Sequence, residues 1–371
     1  MDDSLPVCRI AVYLYKIGNQ NVGLGEFSYQ LAANIAKRAA ELRNKRGIEF
    51  LFIVPKKFVS HFGNDVKYFS YSNTPWKNFM LRNFVKADIF HNTNQCSNLE
   101  HMRKAKLNLT TIHDINFIYE KSGHSLERYK RKFAKSLEHS DVVAYISDFV
   151  KHDVEAHFSP KCEGKVIYNG VADLNSVHGD FAKFNLSDNG YLFHISSLMP
   201  KKNVHKIVEM MRYMPEERLV VVGNLNSDYA HRIQKQVAEW KLTNVILLNH
   251  VSNEEKAELY RHCKAFLFPS LCEGFGLPPV EAMHFGKPVF LSKLTSLPEI
   301  GGDCAYYYDN LDPEVMAEVT REGLADFTSN ANANADKLRC RAASFSWNKC
   351  VDDYVKLYLE LQKGINDGNN E

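Results

Sequence analysis

Two glutamates stand eight positions apart, Glu273 and Glu281, in the stretch Phe268-Pro269-Ser270-Leu271-Cys272-Glu273-Gly274-Phe275-Gly276-Leu277-Pro278-Pro279-Val280-Glu281-Ala282-Met283. The apolar run Ala265–Phe268 predicts a buried strand, Pro269-Ser270 a turn, the glycines a loop, and Pro279 the neighbourhood of a helix start. One carboxylate is expected on the loop and the other in the first turns of the helix. Backbone N–H groups of Gly274, Phe275 and Gly276 are expected to point into the space between them. That arrangement suits a ligand with a polyol at each end and phosphates between, as in a nucleotide sugar. Plainer readings compete: Glu281 as a carboxylate favoured by the helix dipole, Glu273 as a solvated loop residue, or the pair as glycosidase carboxylates.

Other loops carry matching chemistry. Ser196-Ser197-Leu198-Met199-Pro200-Lys201-Lys202-Asn203 follows a predicted strand and precedes a helix. Adjacent lysines there suit the neutralisation of a diphosphate leaving group, although a solvated surface pair is the commoner fate of Lys-Lys. Near the amino end, Asn21-Val22-Gly23-Leu24-Gly25-Glu26 joins a strand to a helix, where glycines and a helix start can approach a phosphate; a plain turn reads the same way. A dinucleotide fingerprint would need a third glycine and an acid ending the second strand, but that strand ends Val54-Pro55-Lys56-Lys57, so hydride chemistry loses support. His113-Asp114 ends an apolar strand, where a histidine can meet a sugar hydroxyl or a developing charge. His91 holds a similar but weaker position.

The elements that must position these residues alternate β and α. Strands are expected at Arg9–Tyr15, Ile48–Val54, Ala87–His91, Leu107–His113, Val142–Ile146 and Lys165–Tyr168. After a polar linker at 173–189 they continue at Tyr191–Ile195, Leu219–Val222, Val245–Leu248 and Ala265–Phe268. Helical periodicity covers Glu26–Arg43, with Phe27, Leu31, Ile35 and Leu42 near one face, and Leu126–Leu137. This is an α/β pattern of parallel sheets covered on both faces, repeated twice, which implies two Rossmann-like domains facing a cleft. A length of 371 residues agrees with two cores.

Composition narrows the class. Apolar content of 45% and charged content of 24% are ordinary for a globular protein. Eight cysteines without a CxxC pair or zinc-type spacing read as reduced cytosolic thiols. The acidic start Met1-Asp2-Asp3-Ser4 argues against a secretory signal, and no apolar run approaches the ~18 residues needed to span a bilayer. Lys and Arg are in surplus in the first half and acids in the second, so the first half is expected to meet something anionic, unless the asymmetry is chance. The basic helix around Glu127–Phe133 and the segment Trp76–Arg82 mix cations with aromatic or apolar groups. They suit an anionic membrane face, though for 126–137 packing into the domain is the preferred reading.

Taken in order, these motifs resemble the family 4 glycosyltransferases, retaining enzymes of the GT-B fold, over nearly the whole chain. The resemblance rests on Gly23-x-Gly25, His113-Asp114, Ile146-Ser147, Val166-Ile167-Tyr168-Asn169-Gly170-Val171, Pro200-x-Lys202-Asn203 and the Glu273…Glu281 block. Gly286-Lys287-Pro288-Val289 and Ser296-Leu297-Pro298-Glu299-Ile300-Gly301 complete it. It implies that Glu281 takes the ribose hydroxyls and Glu273 the sugar hydroxyls. Phe275, Gly276 and Leu277 would supply amides near the sugar and β-phosphate, Lys202 would bind the diphosphate, Gly25 would offer a backbone contact, and His113 would face the donor sugar. Catalytic weight then falls on His113, Glu273 and Lys202, and donor binding on Gly23, Gly25, Ser197, Lys201, Lys202, Phe275, Gly276, Leu277 and Glu281. Ser197 stands where many members carry arginine, and Lys201 could substitute for it.

The resemblance also implies a C-terminal helix crossing back to the first domain. The expected domains are 1–172 plus 347–371 on the acceptor side and 173–346 for the nucleotide sugar. It is similar to the branch with bacterial polysaccharide mannosyltransferases. That favours transfer of a hexose, from GDP-mannose in particular, to a saccharide or lipid-linked acceptor in surface polysaccharide or lipopolysaccharide synthesis. Chemistry would proceed on the donor's front face without a protein nucleophile. No Asp-x-Asp pair appears, and Asp352-Asp353 reads as helix surface, so metal independence is expected. No nucleic-acid partner is expected, and the place of action would be the cytoplasm, with peripheral contact on the inner face of the plasma membrane. The alternatives are a transferase using a UDP-sugar, a catalytically silent relative acting as a partner or regulator, and a GT-B epimerase or phosphorylase, which would lack the glutamate block.

Overall fold

The structure, a computed structural model, describes residues 7–19, 23–71 and 74–367. The chain divides into two compact units, Met1–Gly170 with Trp347–Glu371, and Val171–Ser346. The first holds a seven-stranded sheet of β1 (Cys8–Tyr13), β2 (Ile48–Pro55), β3 (Lys67–Tyr71), β4 (Ala87–Asn92), β5 (Ala105–Ile112), β6 (Val142–Tyr145) and β7 (Glu163–Val166), in the order β3-β2-β1-β4-β5-β6-β7. The second holds β8 (Leu192–Ile195), β9 (Leu219–Val222), β10 (Val245–Leu248), β11 (Ala265–Phe268), β12 (Val289–Ser292) and β13 (Tyr306–Tyr308), in the order β10-β9-β8-β11-β12-β13. Every pairing is parallel.

The strands are apolar runs because helices cover both faces of each sheet: every residue of β9, β11 and β12 is buried. Winding reverses between β1 and β4 in the first unit and between β8 and β11 in the second. Right-handed crossovers carry the chain to opposite faces at such a point, so the loops after the two central strands diverge and leave a crevice at their carboxyl ends.

Some elements differ from expectation. β3 was not anticipated, because it is a short edge strand in which only Tyr71 is fully buried. The first helix runs over Gly23–Arg46, so Gly23 and Gly25 form its first turn instead of a loop; Asn21 and Val22 lie outside the described residues. The helix after the glutamate loop begins at Leu277, ahead of the expected Pro279. Gly276 caps it with φ of 109°, and a Cβ there would sit 2.9 Å from Leu297 Cδ2, so only glycine makes this entry. The basic helix Gly123–Glu138 buries Phe133, Ser136 and Leu137 and leaves Arg128, Arg131 and Lys135 exposed, while Lys132 donates to the Cys96 carbonyl.

The last helix, Trp347–Asp367, belongs to the first unit. Its buried face is Trp347, Cys350, Val351, Tyr354, Leu357 and Tyr358, a 3.6-residue stripe. Trp347 and Tyr354 pack on Phe27, and Tyr358 on Phe50. Gly170 is required beneath Trp347, since an added Cβ would lie 2.4 Å from its ring. Tyr354 hydroxyl meets Thr111 Oγ1 at 2.8 Å, and Tyr358 hydroxyl meets His91 Nδ1 at 2.7 Å. Arg38–Asp352 and Lys165–Glu360 close the helix on its exposed side.

Tyr354→Ala removes a fully buried ring and one of the two side-chain partners of Thr111 Oγ1, the other being His91, which costs about 3–5 kcal/mol. Urea unfolding should show the loss, and hydrogen exchange should rise in β1, β4 and β5 and stay unchanged in β8, β11 and β12.

Candidate functional site

In the second unit the loops after β8, β11 and β12 are stitched together at the winding reversal. Leu271 N–H donates to the Lys201 carbonyl at 2.7 Å, and Ser270 Oγ donates to the same oxygen at 3.1 Å. Ser292 Oγ, at the end of β12, donates to the Ser270 carbonyl. Glu273 N–H donates to Thr295 Oγ1 at 3.1 Å, and Ser296 Oγ donates to the carbonyls of Glu273 and Phe275 at 3.1 and 2.9 Å. Leu198, Asn203 and Thr295 all adopt positive φ, at 46°, 57° and 54°. For β-branched Thr295 this is a strained conformation, held by the network its hydroxyl serves.

Lys201 and Lys202 occupy a 3₁₀ turn, Pro200–Lys202, where their roles part. Lys201 supplies the carbonyl that ties the loops. Lys202 Nζ forms an ion pair with Glu273 Oε1 and stands 5.2 Å from the Phe268 ring centroid. The side chains of Lys202 and Glu273 are only 13% and 12% exposed, so both charges are largely desolvated and depend on each other. Ser197, on the same loop, is exposed. Phe275 is buried edge-on against Phe345, with centroids 5.4 Å apart.

Glu281 lies on the helix Leu277–His284 and is gripped from the neighbouring helix Asn253–His262. Lys256 Nζ is 2.7 Å from its Oε1, and the Tyr260 hydroxyl donates to its Oε2 at 2.9 Å. Burial first, and the Glu281 charge next, hold the Tyr260 hydroxyl well above its ordinary pKa, so it remains a donor. Sequence reasoning missed Lys256 and Tyr260, as well as Thr295 and Ser296. Lys256 and Tyr260 are four apart on one helix, which places them on one face, and that spacing was the available signal.

The first unit has its own cluster at the carboxyl ends of β1, β4 and β5. His113 is buried; its Nε2 lies 2.9 Å from the Thr93 carbonyl, its backbone N–H donates to Gln95 Oε1, and Phe27 packs edge-on to its ring. His91 is corrected from candidate to framework residue: both ring nitrogens are engaged, by Tyr358 and by Thr111 at 2.8 Å, beneath a wholly buried surface. Gly25 is also set by packing. A Cβ there would fall 1.9 Å from the Asn19 carbonyl oxygen, so the turn after β1 closes directly onto the helix start. Gly23, two residues earlier, is exposed.

Comparison with known proteins bears on this geometry. Residues 179–336 match the family described as Glycosyl transferases group 1. The chain is 27% identical over 273 residues to O-antigen chain mannosyltransferase B of Escherichia coli, covering 68% of this chain and 70% of that protein. It is 28% identical over 200 residues to the serotype-specific mannosyltransferase WbdA of Escherichia coli, covering 51% of this chain but 24% of that much longer protein. Among solved structures, Anabaena Alr3699/HepE in complex with UDP and glucose superposes with a TM-score of 0.73 at 16% identity, over 95% of this chain and 99% of that one.

Buried imidazoles give the fold a pH dependence. Burial pushes His194 and His113 down to about 4 and His91 to about 3, against 6.5 for an exposed histidine. His194 holds the lysine loop in place through Ser196 Oγ at 2.9 Å. Below pH 6.5 the unfolded chain binds protons that the folded chain does not, so stability is full above that pH and is lost as pH falls toward 4. Urea midpoints should drop between pH 7 and 5, and His194→Gln should flatten that slope.

Proposed function

We propose that the chain, whose residues 179–336 match the family described as Glycosyl transferases group 1, is a glycosyltransferase that moves a hexose with retention from a nucleotide-diphosphate sugar to a saccharide or lipid-linked acceptor in surface polysaccharide or lipopolysaccharide synthesis, a reading supported by its mannosyltransferase relatives. The observation that carries the donor assignment is the pairing of each glutamate with a cation at the reversal of the second sheet: Glu273 with Lys202, Glu281 with Lys256. In this reading Glu281, fixed by Tyr260, accepts hydrogen bonds from the ribose hydroxyls, and Glu273 accepts them from the sugar. Lys202 leaves its ion pair for the diphosphate, and the amides of Phe275, Gly276 and Leu277 lie near the sugar and β-phosphate. Ser197, Lys201, Gly23 and Gly25 complete the proposed donor contacts, and His113 is proposed to face the sugar.

The bond from the anomeric carbon to the diphosphate breaks while a bond to the acceptor oxygen forms on the same face. The acceptor proton passes to a diphosphate oxygen. No protein nucleophile and no metal is needed in this step; the protein positions the reactants and stabilises charge. Burial keeps the His113 imidazole neutral, so it acts as a hydrogen-bonding group and not as a cation. GDP-mannose is the favoured donor, supported by the relatives named for mannosyl transfer. A UDP-sugar is the second reading, supported by the solved HepE structure, which carries UDP and glucose.

A peripheral contact with an anionic bilayer is part of the proposal, on the cytoplasmic face of the plasma membrane. No helix among the described residues is long and apolar enough to cross a membrane. The helix Pro75–Phe84 instead exposes Trp76, Phe79 and Phe84, with Trp76 stacked on Phe79 and Lys104 Nζ 5.6 Å from the Phe84 ring centroid. Aromatic rings beside cations suit the headgroup layer.

Lys202→Ala should lower kcat about 10²–10³-fold, and Glu281→Ala should raise the donor KM about tenfold or more, measured by donor turnover against a panel of nucleotide sugars. Unchanged turnover in Glu281→Ala would overturn the donor assignment, and a strict requirement for Mn²⁺ or Mg²⁺ would overturn the metal-free step. Pelleting with anionic liposomes should fall with salt and with Trp76→Ala; absence of binding at any salt would remove the membrane contact.

A further inference from the structure

A second side-chain cluster lies outside the sites described above, by the amino ends of β5 and β6. Glu100 and His101 belong to the connection between β4 and β5, and His139 caps the carboxyl end of the helix Gly123–Glu138. One ligand atom from each of the three lies within 4.8 Å of the others. We propose that Glu100, His101 and His139 bind one divalent transition-metal ion, with solvent as a further ligand, and that this ion staples the β4–β5 connection to the helix.

The chemistry of the cluster is that of an incomplete coordination shell. His101 Nδ1 is buried and takes part in no hydrogen bond. An orphaned buried polar atom is costly and rare, so it calls for a partner. Glu100 Oε2 makes no hydrogen bond and is met by an ion pair with Lys135 Nζ at 3.1 Å, whose side chain is 54% exposed and free to exchange the carboxylate for water. The rings of His101 and His139 lie 4.1 Å apart at 42°. A tetrahedral ion with bonds of about 2.0–2.2 Å needs ligand atoms about 3.3–3.6 Å apart, so the three ligand atoms, within 4.8 Å of one another, need to close by little more than about 1 Å.

Two imidazoles and a carboxylate suit zinc and its neighbours over magnesium or calcium, which prefer oxygen. Arg82 and Arg103, close enough to act on His101 through charge, oppose an incoming cation. The charge of Glu100 and the carbonyl end of the helix beneath His139 favour it. The two stapled elements already share a hydrogen bond, Lys132 Nζ to the Cys96 carbonyl at 2.8 Å. The connection also carries Thr93 and Gln95, which hold His113. The ion therefore stiffens the support of His113 and takes no part in sugar transfer, so the inference stands whether or not the proposed donor is correct.

The test uses the full chain stripped with chelator and titrated with Zn²⁺, read by calorimetry and thermal unfolding, and with Co²⁺ as an optical probe. The expected result is one equivalent of Zn²⁺ with a rise in Tm, and visible Co²⁺ bands without a thiolate charge-transfer band. Affinity should fall about tenfold or more in both His139→Ala and Glu100→Gln, with the far-UV circular dichroism of both variants unchanged. Wild-type protein that takes up no Zn²⁺, or variants that bind it as wild type does, would overturn the site. A thiolate band would likewise overturn it by moving the ion to the cysteines.

Discussion

The hydrogen bond from Leu271 N–H to the Lys201 carbonyl spans the point where the second sheet reverses its winding. Parallel strands β8 and β11 lie side by side, but their loops must leave toward opposite faces. That one bond, with Ser270 Oγ on the same carbonyl, holds the two loops together at their roots while their tips part. A single such bond contributes only about 1 kcal/mol, so its importance is geometric. It sets the distance between Lys202 and Glu273, and Thr295 and Ser296 then fix the glutamate's backbone from the next strand.

Charge is handled in the same local way. Lys202 with Glu273, and Lys256 with Glu281, are pairs withdrawn from water and close to neutral as units. Such pairs add little to stability, because desolvation offsets most of the attraction, but removing one partner leaves an uncompensated buried charge. An arrangement of this kind is expensive to keep for folding alone. It is well suited to a ligand that brings its own hydroxyls and negative charge, because the protein groups then exchange partners without having to be desolvated again.

The first unit depends on its carboxyl-terminal helix. Tyr354 and Tyr358 end in a buried hydroxyl–imidazole network with Thr111 and His91, so strands β4 and β5 are anchored by residues about 250 positions away in sequence. The consequence reaches His113, one residue beyond β5, whose partners Thr93 and Gln95 follow β4 directly. His91 and His113 look alike on paper, each at a strand end. One lies inside this network with both nitrogens engaged, and the other has its Nε2 on a carbonyl at the strand ends.

Much of the architecture was legible in the sequence because buried parallel strands must be apolar runs and their helices must show a 3.6-residue stripe. Ala265–Phe268 and Leu219–Val222 appear where those patterns place them. Short edge elements such as Lys67–Tyr71 were not, since a strand with one covered face carries little apolar signal. The glutamate spacing, the lysine loop and the order of the motifs were likewise determined by the sequence alone, because backbone type and residue chemistry are local properties. The partners were decided only by the tertiary structure. That Lys256 and Tyr260 grip Glu281, that Lys202 rests on Glu273, and that Gly25 serves chain packing all depend on segments brought together by sheet winding. Hydrogen bonds and ion pairs act over a few ångströms of space, whatever the separation along the chain.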